Sequence, residues 1–422
     1  MNKRVRESNR YSVQSLKVID MVTKEAKHDP KGTLFMTHKG MVDLSKVNIL
    51  HFGTDTIRQL YKGIPRKVLL KQLDYALDTD CLYTLLDHPF SVSKMGKMSG
   101  YRYKLQNNAL GIIILVASYY SNLETEGTHL KIEVSPNFIL KRRSETTNFL
   151  HRFASQCLEK GWHASAVAIH LCCDFQGYQP PKDFLDKFVT RTKNIKAYLG
   201  ISDASFNLSE VATTYGDGQS FTFGKADALQ VCLYRKDLEI EKHDKQEFWH
   251  GVWGEKYNPA LPVWRIELRF HHTVLNELAQ GMGIKNATTA YRWYPYLREI
   301  WSYGLNNNRL ESSTHTLSPI WQLLRDDGPD NLRAKYAFIP CVREKKSVSP
   351  SVVRNIANLL GNMVSLYARQ RCSIDDLWQY VQGLHIFPLI KTHLKDTGKS
   401  LEFLRDKLES SMVDRYLIGK AA

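Results

Sequence analysis

The sequence contains no CxxC pair, and its seven cysteines lie at irregular spacing. An odd number of cysteines without regular spacing argues against a disulfide framework. The missing CxxC pairs argue against a structural zinc site. The lack of a disulfide framework fits a reducing compartment, so we expect a cytoplasmic protein.

Long apolar runs are also missing. The longest, ALGIIILVASYY at residues 109–120, is too short to span a bilayer. The first twenty residues, MNKRVRESNRYSVQSLKVID, contain no apolar core of the kind that a signal peptide needs. The sequence therefore predicts no membrane role.

No nucleotide-binding loop is present. The tail contains DTGKS, but His393 stands where a P-loop requires its first glycine, and GQSFTFGK at residues 218–225 has the wrong glycine spacing. We therefore expect no binding site for a nucleotide cofactor and no intrinsic helicase motor.

Positive charge is in excess. The 422 residues include 58 Lys+Arg against 43 Asp+Glu, a net charge of +15. The excess is spread along the chain, with concentrations at MNKRVRESNR, LKRRSETT, VTRTKNIK and VREKK. Such a field favours a polyanion, and DNA lying over a surface is the partner we expect. Charge that serves only solvation is the alternative.

Strand-like segments dominate residues 33–270, with helical patterns between them. This mixture predicts an α+β fold with a largely antiparallel sheet and flanking helices. The predicted strands are TLFMTH, VNILHF, GYRYKL, LGIIILVAS, THLKIEVS, ASAVAIHLCCDF, QSFTFG, ALQVCLY and VWRIELRF. The predicted helices lie within residues 60–86, 144–162 and 180–200.

The C-terminal third has helical periodicity in SPSVVRNIANLLGNMVSLYARQ, SIDDLWQYVQGL and KSLEFLRDKLESSMVDRYL. We therefore divide the chain into a basic N-terminal arm with a short helix (residues 1–32), a mixed domain (33–275) and a helical domain (276–422). The arm either contacts DNA or frays, and the helical domain serves DNA binding, dimerisation or plain packing.

Strand alternation places polar side chains together on buried strands. In AIHLCCDFQG, His170, Cys172 and Asp174 share one face, and in PVWRIELRF the shared face carries Arg265, Glu267 and Arg269. Carboxylates with an imidazole suit Mg²⁺ or Mn²⁺. The alternative is a set of cross-strand ion pairs and a hydrogen-bonded core histidine.

A tyrosine lies where the strand ALQVCLY meets a charged helix. Tyr234 precedes Lys236 by two residues, and Glu239 lies one helical turn beyond Lys236. An adjacent cation favours a phenolate, the form in which tyrosine is a nucleophile. Spacing alone leaves open that Tyr234 is an ordinary strand aromatic.

The segment FTFGKADALQVCLYRKDLE, followed by VWRIELRF, resembles the replication initiation factor family, the initiators of rolling-circle plasmids and some phages. That family has a Tyr-x-Lys-x-x-Glu-like run after a strand and then a strand with Arg-hydrophobic-Glu. AIHLCCD resembles its upstream Arg-x-Asp-x-Ala-x-Asp strand: Asp174 matches the last Asp, and His170 stands at the first. THLKIEVSPNFIL resembles an earlier strand, with Pro136 in place of the usual glycine. The resemblance spans residues 35–271.

The resemblance implies that residues 33–275 nick one DNA strand at a specific site in a metal-dependent reaction. Tyr234 would become joined to the 5′-phosphate and leave a free 3′-hydroxyl, with Lys236 and Arg265 as further catalytic residues. The Mg²⁺ or Mn²⁺ ligands implied are Asp174, Glu267, Glu239 and His170. The implied partners are the origin duplex, the nicked single strand, a second copy of the chain, and a host helicase and polymerase in a bacterial cytoplasm.

Two other functions stay open. A conjugative relaxase would use the same chemistry in another DNA context, and a non-catalytic origin-binding protein would need only the basic surface. Relaxases with a His-hydrophobic-His site are disfavoured because that motif is absent. Tyrosine recombinases are disfavoured because none of the 15 histidines is followed three residues later by arginine.

Overall fold

The computed structural model describes residues 6–11, 17–19, 26–28, 32–37, 40–181, 183–190, 195–198, 220–225, 227–331, 341–344, 352–396 and 399–418. The chain forms two compact units, residues 1–344 and 345–422. The first unit is α+β with a large antiparallel sheet and flanking helices, and the second contains helices, as the sequence predicts. No helix among the described residues is both long enough and apolar enough to cross a membrane.

Nineteen strands are seen in the described part of the first unit. They are β1 (Asn9–Tyr11), β2 (Lys17–Ile19), β3 (Ala26–His28), β4 (Leu34–Thr37), β5 (Gly40–Asp43), β6 (Asn48–Gly63), β7 (Tyr83–Leu85), β8 (His88–Lys94), β9 (Tyr101–Asn107), β10 (Ile112–Ser118), β11 (Gly127–Val134), β12 (His163–Gln176), β13 (Phe188–Thr190), β14 (Ile195–Tyr198), β15 (Ser220–Phe223), β16 (Leu229–Arg235), β17 (Trp264–Phe270), β18 (Asn308–Ser313) and β19 (Thr316–Leu317).

Eleven of these strands form the main sheet, in the order β14-β15-β16-β17-β12-β6-β11-β10-β9-β8-β7. Neighbouring strands are antiparallel throughout. The long strands β6 and β12 lie side by side at its centre, with β17 and β16 next to β12. Each of the nine segments predicted as strands overlaps an observed strand, and β4, β10, β15 and β17 are shorter than predicted.

The helices of the first unit are α1 (Lys67–Asp78), α2 (Pro136–Arg142), α3 (Thr146–Cys157), α4 (Phe184–Lys187), α5 (Lys236–Lys242), α6 (Gln246–Trp253), α7 (His272–Met282), α8 (Ala290–Trp293), α9 (Leu297–Asn307) and α10 (Pro319–Asp326). One face of the sheet carries the apolar side chains and packs on several of these helices. Trp301 of α9 meets Phe52 of β6 at 5.0 Å between ring centres, and Phe153 of α3 meets Phe90 of β8 at 5.9 Å.

The opposite face of the sheet is polar, and a β-bulge in β6 keeps it so. His170 of β12 pairs with Thr56, whereas Leu171 pairs with Thr54, so Asp55 is an extra residue in the ladder. Burial alternates along β6 and reverses its phase at this point, with Phe52 buried before the bulge and Ile57 after it. Both halves of β6 therefore turn their polar residues to the same side.

The second unit contains α11 (Val352–Arg369), α12 (Ile374–Gly383), α13 (Phe387–Asp396) and α14 (Leu401–Ile418). Their apolar faces meet in a separate core that includes Val364, Leu377 and Met412. Helix α12 begins with a capping box, in which Ser373 and Asp376 satisfy each other's backbone N–H groups. The helical periodicity of the sequence predicted α11, α12 and α14.

Four sequence predictions differ from the structure. The predicted domain boundary between residues 275 and 276 falls inside the first unit, because α7 to α10 bury their apolar faces in its core. Within the predicted N-terminal arm, β1 pairs with β4 and Arg10 forms an ion pair with Asp327, so this segment is part of the first unit. The described parts of residues 1–32 contain strands and no helix.

In the helix predicted at residues 180–200, the described residues form more strand than helix. Among them α4 is the helical part, and β13 and β14 follow it. Phe188 stacks on Phe223 with 4.1 Å between ring centres, and β13 pairs with β18. These tertiary contacts, with the β-branched residues Val189 and Thr190, outweigh the helical spacing.

Candidate active site

A cleft of about 500 Å³ opens on the polar face of the sheet, around the ends of β16 and β17. Strands β6, β12, β16 and β17 supply its floor, and α5 and α6 supply one wall. The opposite rim is formed by the turn after β9 and the start of α2. The polar side chains that line the cleft include Asp55, Thr56, Arg58, His170, Tyr234, Lys236, Glu239, Glu267 and Arg269.

Tyr234 is the penultimate residue of β16, two positions before α5 begins, as its sequence context predicts. Its phenol O–H donates to Oε2 of Glu267 at 3.3 Å. Burial raises the pKa of Tyr234 well above its ordinary value, and the Glu267 charge raises it further, while Arg265 opposes both. The phenol is therefore neutral near pH 7 and already points at a carboxylate.

Glu267 is the centre of the charge network. Arg269 donates two hydrogen bonds to it, at 2.9 and 3.1 Å, and Nδ1 of His170 lies 3.2 Å from its Oε1. Burial raises the pKa of Glu267, but the Arg269 charge and the hydrogen bonds from His170 and Arg269 lower it more, to well below its usual range. Glu267 is therefore a carboxylate near pH 7.

Asp55 completes a cluster that the sequence did not predict. One ligand atom each from Asp55, His170 and Glu267 lie within 4.8 Å of one another. Two carboxylates and an imidazole are a donor set that suits Mn²⁺ and accepts Mg²⁺, so these residues fit the divalent cation implied by the sequence. Of the four predicted ligands, the structure brings His170 and Glu267 into this cluster.

Asp174 lies outside the cluster. It is fully buried and accepts hydrogen bonds from Arg265 at 2.5 and 2.7 Å and from the indole N–H of Trp253 at 2.8 Å. Burial raises the pKa of Asp174, but the Arg265 charge lowers it more. Asp174 is therefore the buried charge partner of Arg265, and it is not a member of the cluster of Asp55, His170 and Glu267.

Arg265 is also fully buried and is not among the residues that line the cleft. Its third contact is a hydrogen bond from Nη1 to Oδ1 of Asp55. Its guanidinium carbon lies 4.2 Å from the centre of the Trp249 ring, which closes it off from the cleft. The predicted catalytic role of Arg265 therefore becomes a positioning role, in which it pairs with carboxylates.

Lys236 and Glu239 line the same cleft but form a pair of their own. Lys236 is the first residue of α5, and its ammonium donates to Oε2 of Glu239 one turn later. The ammonium also lies 4.7 Å from the centre of the Trp249 ring. Glu239, predicted as a ligand, is bound to this cation and is not a member of the cluster of Asp55, His170 and Glu267.

Sequence comparison places the chain in a phage protein family. It is 30% identical over 412 residues to a protein of Pseudomonas phage Pf1, "Uncharacterized protein ORF430", and the match covers 92% of this chain and 94% of the relative. No protein-family model matches. The chain belongs to the family of that Pf1 protein.

Proposed function

We propose that the protein is a rolling-circle replication initiator that nicks one DNA strand at a specific site through Tyr234. The observation that supports this most is the hydrogen bond from Tyr234 to Glu267, in a cleft where Glu267 also lies beside Asp55 and His170. A nucleophile, a proton acceptor and a set of metal ligands are thus within one small volume.

The reaction is a transesterification. The Tyr234 oxygen forms a bond to the phosphorus, the bond from phosphorus to the 3′-oxygen breaks, and the 3′-oxygen leaves and takes up a proton. Glu267 accepts the phenol proton along the existing hydrogen bond. Because the pKa of Tyr234 is raised and that of Glu267 is lowered, this transfer accompanies formation of the bond to phosphorus instead of preceding it. The products are a 5′-phosphotyrosine and a 3′-hydroxyl that primes synthesis. A later attack by a 3′-hydroxyl reverses these steps and reseals the strand without ATP.

Asp55, His170 and Glu267 are the residues that would hold a divalent cation. When bound, Mg²⁺ or Mn²⁺ would polarise the scissile phosphate and neutralise its charge. Arg265 holds Asp55 in place from the buried side, and Arg269 and His170 fix the orientation of Glu267. Lys236, two residues after Tyr234, also lines the cleft and supplies positive charge where the phosphate would bind.

The relative from a phage favours replication of a phage genome over conjugative transfer, although the nicking step is the same in both. A purely DNA-binding protein has no need of a buried tyrosine hydrogen-bonded to a carboxylate, next to two further side chains that could hold a metal ion. The proposal therefore includes DNA as the partner, with the origin duplex read before the nick and the single strand held after it.

A nicking assay tests this proposal. Purified protein is incubated with Mg²⁺ or Mn²⁺ and supercoiled DNA that carries the gene's own flanking region, and products are separated under denaturing conditions. We expect a metal-dependent nick and a protein joined to a 5′ end, both abolished by Tyr234→Phe.

Tyr257→Phe is the matched control, because Tyr257 lies near α6 but stacks on His250 outside the cleft lining. This variant should nick as the wild type does. Specific DNA binding by the wild type without a nick or adduct in either metal would overturn catalysis and leave an origin-binding protein.

A further inference from the structure

The segment from His88 to Asn122 carries charge of one sign. It contains four Lys+Arg residues and no Asp or Glu. The cations are Lys94, Lys97, Arg102 and Lys104, and this segment forms β8, β9 and β10 at one side of the main sheet. The segment therefore adds only positive charge to this side of the sheet, apart from the cleft around Tyr234.

The connection from β8 to β9 is a projecting tip, which we define as residues 95–101 together with Tyr119 and Tyr120. Two of its side chains are exposed although they are large and apolar: Met98 is 102% exposed and Tyr120 is 73% exposed. Lys94 and Lys97 beside them are exposed as well. Aromatic and apolar groups next to cations are the composition of surfaces that hold single strands.

Hydrogen bonds hold the tip in one shape. Tyr119 donates its O–H to the carbonyl of Met95 at 2.8 Å, and Tyr120 donates to the carbonyl of Lys97 at 3.4 Å. Gly100 has φ of +81° and accepts from the N–H of Tyr119 at 3.0 Å. A surface that is already ordered loses little conformational entropy when a ligand binds.

The polar face of the sheet connects the tip to the cleft. Lys104 of β9 is opposite Leu115 of β10, which is opposite Lys131 of β11, so these side chains share a face. Lys131 and Arg58 both contact Glu133 on that face, at 2.6 and 3.4 Å, and Arg58 lines the cleft.

The distance along this face suits a short stretch of nucleic acid. The far end of β9 borders the cleft, and the near end, Tyr101, belongs to the tip. Strands rise about 3.3 Å per residue, so the length of β9 puts the tip roughly 20 Å from the cleft. A single strand of a few nucleotides covers such a distance.

We propose that the tip binds single-stranded DNA that leaves the cleft, with bases stacked on Tyr120 and Met98 and phosphates near Lys97. This inference rests on the proposed function, because it takes the nicked strand as the ligand. Unstacked bases are required, since the bases inside a duplex stack on one another and have no face free for a side chain.

The test compares two double variants in metal-free buffer. Binding of a fluorescein-labelled single-stranded oligonucleotide from the flanking region is followed by anisotropy. Met98→Ala with Tyr120→Ala should weaken binding by about 10-fold, since one stacked base contributes enough for such a change. The matched control is Val68→Ala with Tyr75→Ala, two similarly exposed residues of α1 (66% and 68%) beside acidic Asp74, which should bind as the wild type does.

Lys97→Ala gives a second readout. It should lower the slope of log affinity against log salt by about 1, as loss of one phosphate contact does. Unchanged affinity of the tip double variant for single strands would overturn the inference, and so would a loss confined to duplex DNA. Nicking by the wild type is assayed separately. Nicking by the wild type together with unchanged single-strand affinity in the tip double variant would overturn only this inference. Weaker single-strand binding by the tip double variant, without nicking by the wild type, would overturn only the catalytic proposal.

Discussion

Arg265 and Asp55 are hydrogen-bonded although 210 positions separate them in the sequence. Arg265 lies on β17 and Asp55 on β6, and β12 runs between these two strands. The guanidinium reaches across β12, where Asp174 holds its other side. One buried cation thus fixes a carboxylate on each of two strands, and it keeps Asp55 beside His170 and Glu267.

The Arg265–Asp174 pair should matter strongly for stability. Asp174→Asn leaves a buried guanidinium without its charged partner on β12, and we expect a loss of about 3–5 kcal/mol in the free energy of unfolding. Urea unfolding at pH 7 measures it. The control is Lys67→Met, which breaks an ion pair with Glu124 on the surface and should cost less than about 1 kcal/mol. Equal losses in the two variants would contradict this role for Asp174.

The cost of Asp174→Asn should also depend on pH. The pKa of Asp174 is lowered in the folded protein, so its carboxylate stabilises the fold above the unfolded-state pKa of about 3.9. That stability is lost as the pH falls through the lower folded-state pKa, because a protonated Asp174 resembles the asparagine. The difference in unfolding free energy between wild type and variant should therefore be constant from pH 7 to about 5 and shrink below about pH 4. A difference that stays constant in acid would contradict the charged pair.

Asp55 should be needed for the metal and dispensable for the fold. Asp55→Asn keeps an acceptor for Arg265 but removes one anionic ligand, so we expect Mn²⁺ affinity to fall at least about 10-fold and nicking to fall with it. Isothermal titration with Mn²⁺ and the nicking assay measure the two effects.

Asp244→Asn is the matched control for that experiment. Asp244 lines the same cleft outside the cluster, and its positive φ of 52° is one that asparagine tolerates. It should leave metal affinity and nicking unchanged. If both variants lose Mn²⁺ equally, the cation is held by the general charge of the cleft and not by Asp55.

Lys236 can be tested apart from its partner. Lys236→Met alone leaves the buried Glu239 carboxylate with only Lys245, whose ammonium lies 4.0 Å from its Oε1, so it should reduce stability as well as nicking. The double variant Lys236→Met with Glu239→Gln removes both charges and should recover most of the stability. We expect its nicking rate to stay at least about 10-fold low, because Lys236 supplies charge to the phosphate. Recovery of both properties would show that Lys236 serves only the fold.

Much of the site could be predicted from local pattern. Alternation along β12 and β17 gave the faces that carry His170 and Glu267, and the change from strand to helix gave the position of Tyr234. These features depend on neighbouring residues in the chain, which is why the sequence reveals them.

The rest depends on which strands become neighbours. Asp174 shares a face with His170, as predicted, but register puts Arg265 directly opposite Asp174, and that pairing removes its oxygens from the cleft. Asp55 was missed because the predicted strand ended at Phe52, two residues before the polar run Thr54 to Thr56 begins. The one available signal was that polar run within a longer apolar alternation.

The bulge at Asp55 has a consequence for how members of this family can diverge. Deleting Asp55 would join Thr54, opposite Leu171, directly to Thr56, opposite His170. This change restores unbroken pairing and unbroken alternation, so Phe52 and Ile57 both stay in the core. The ligand can therefore be lost by substitution or by deletion of one residue at little cost to the sheet. A relative that has abandoned the chemistry should carry either another side chain at position 55 or a strand that is one residue shorter and has no bulge.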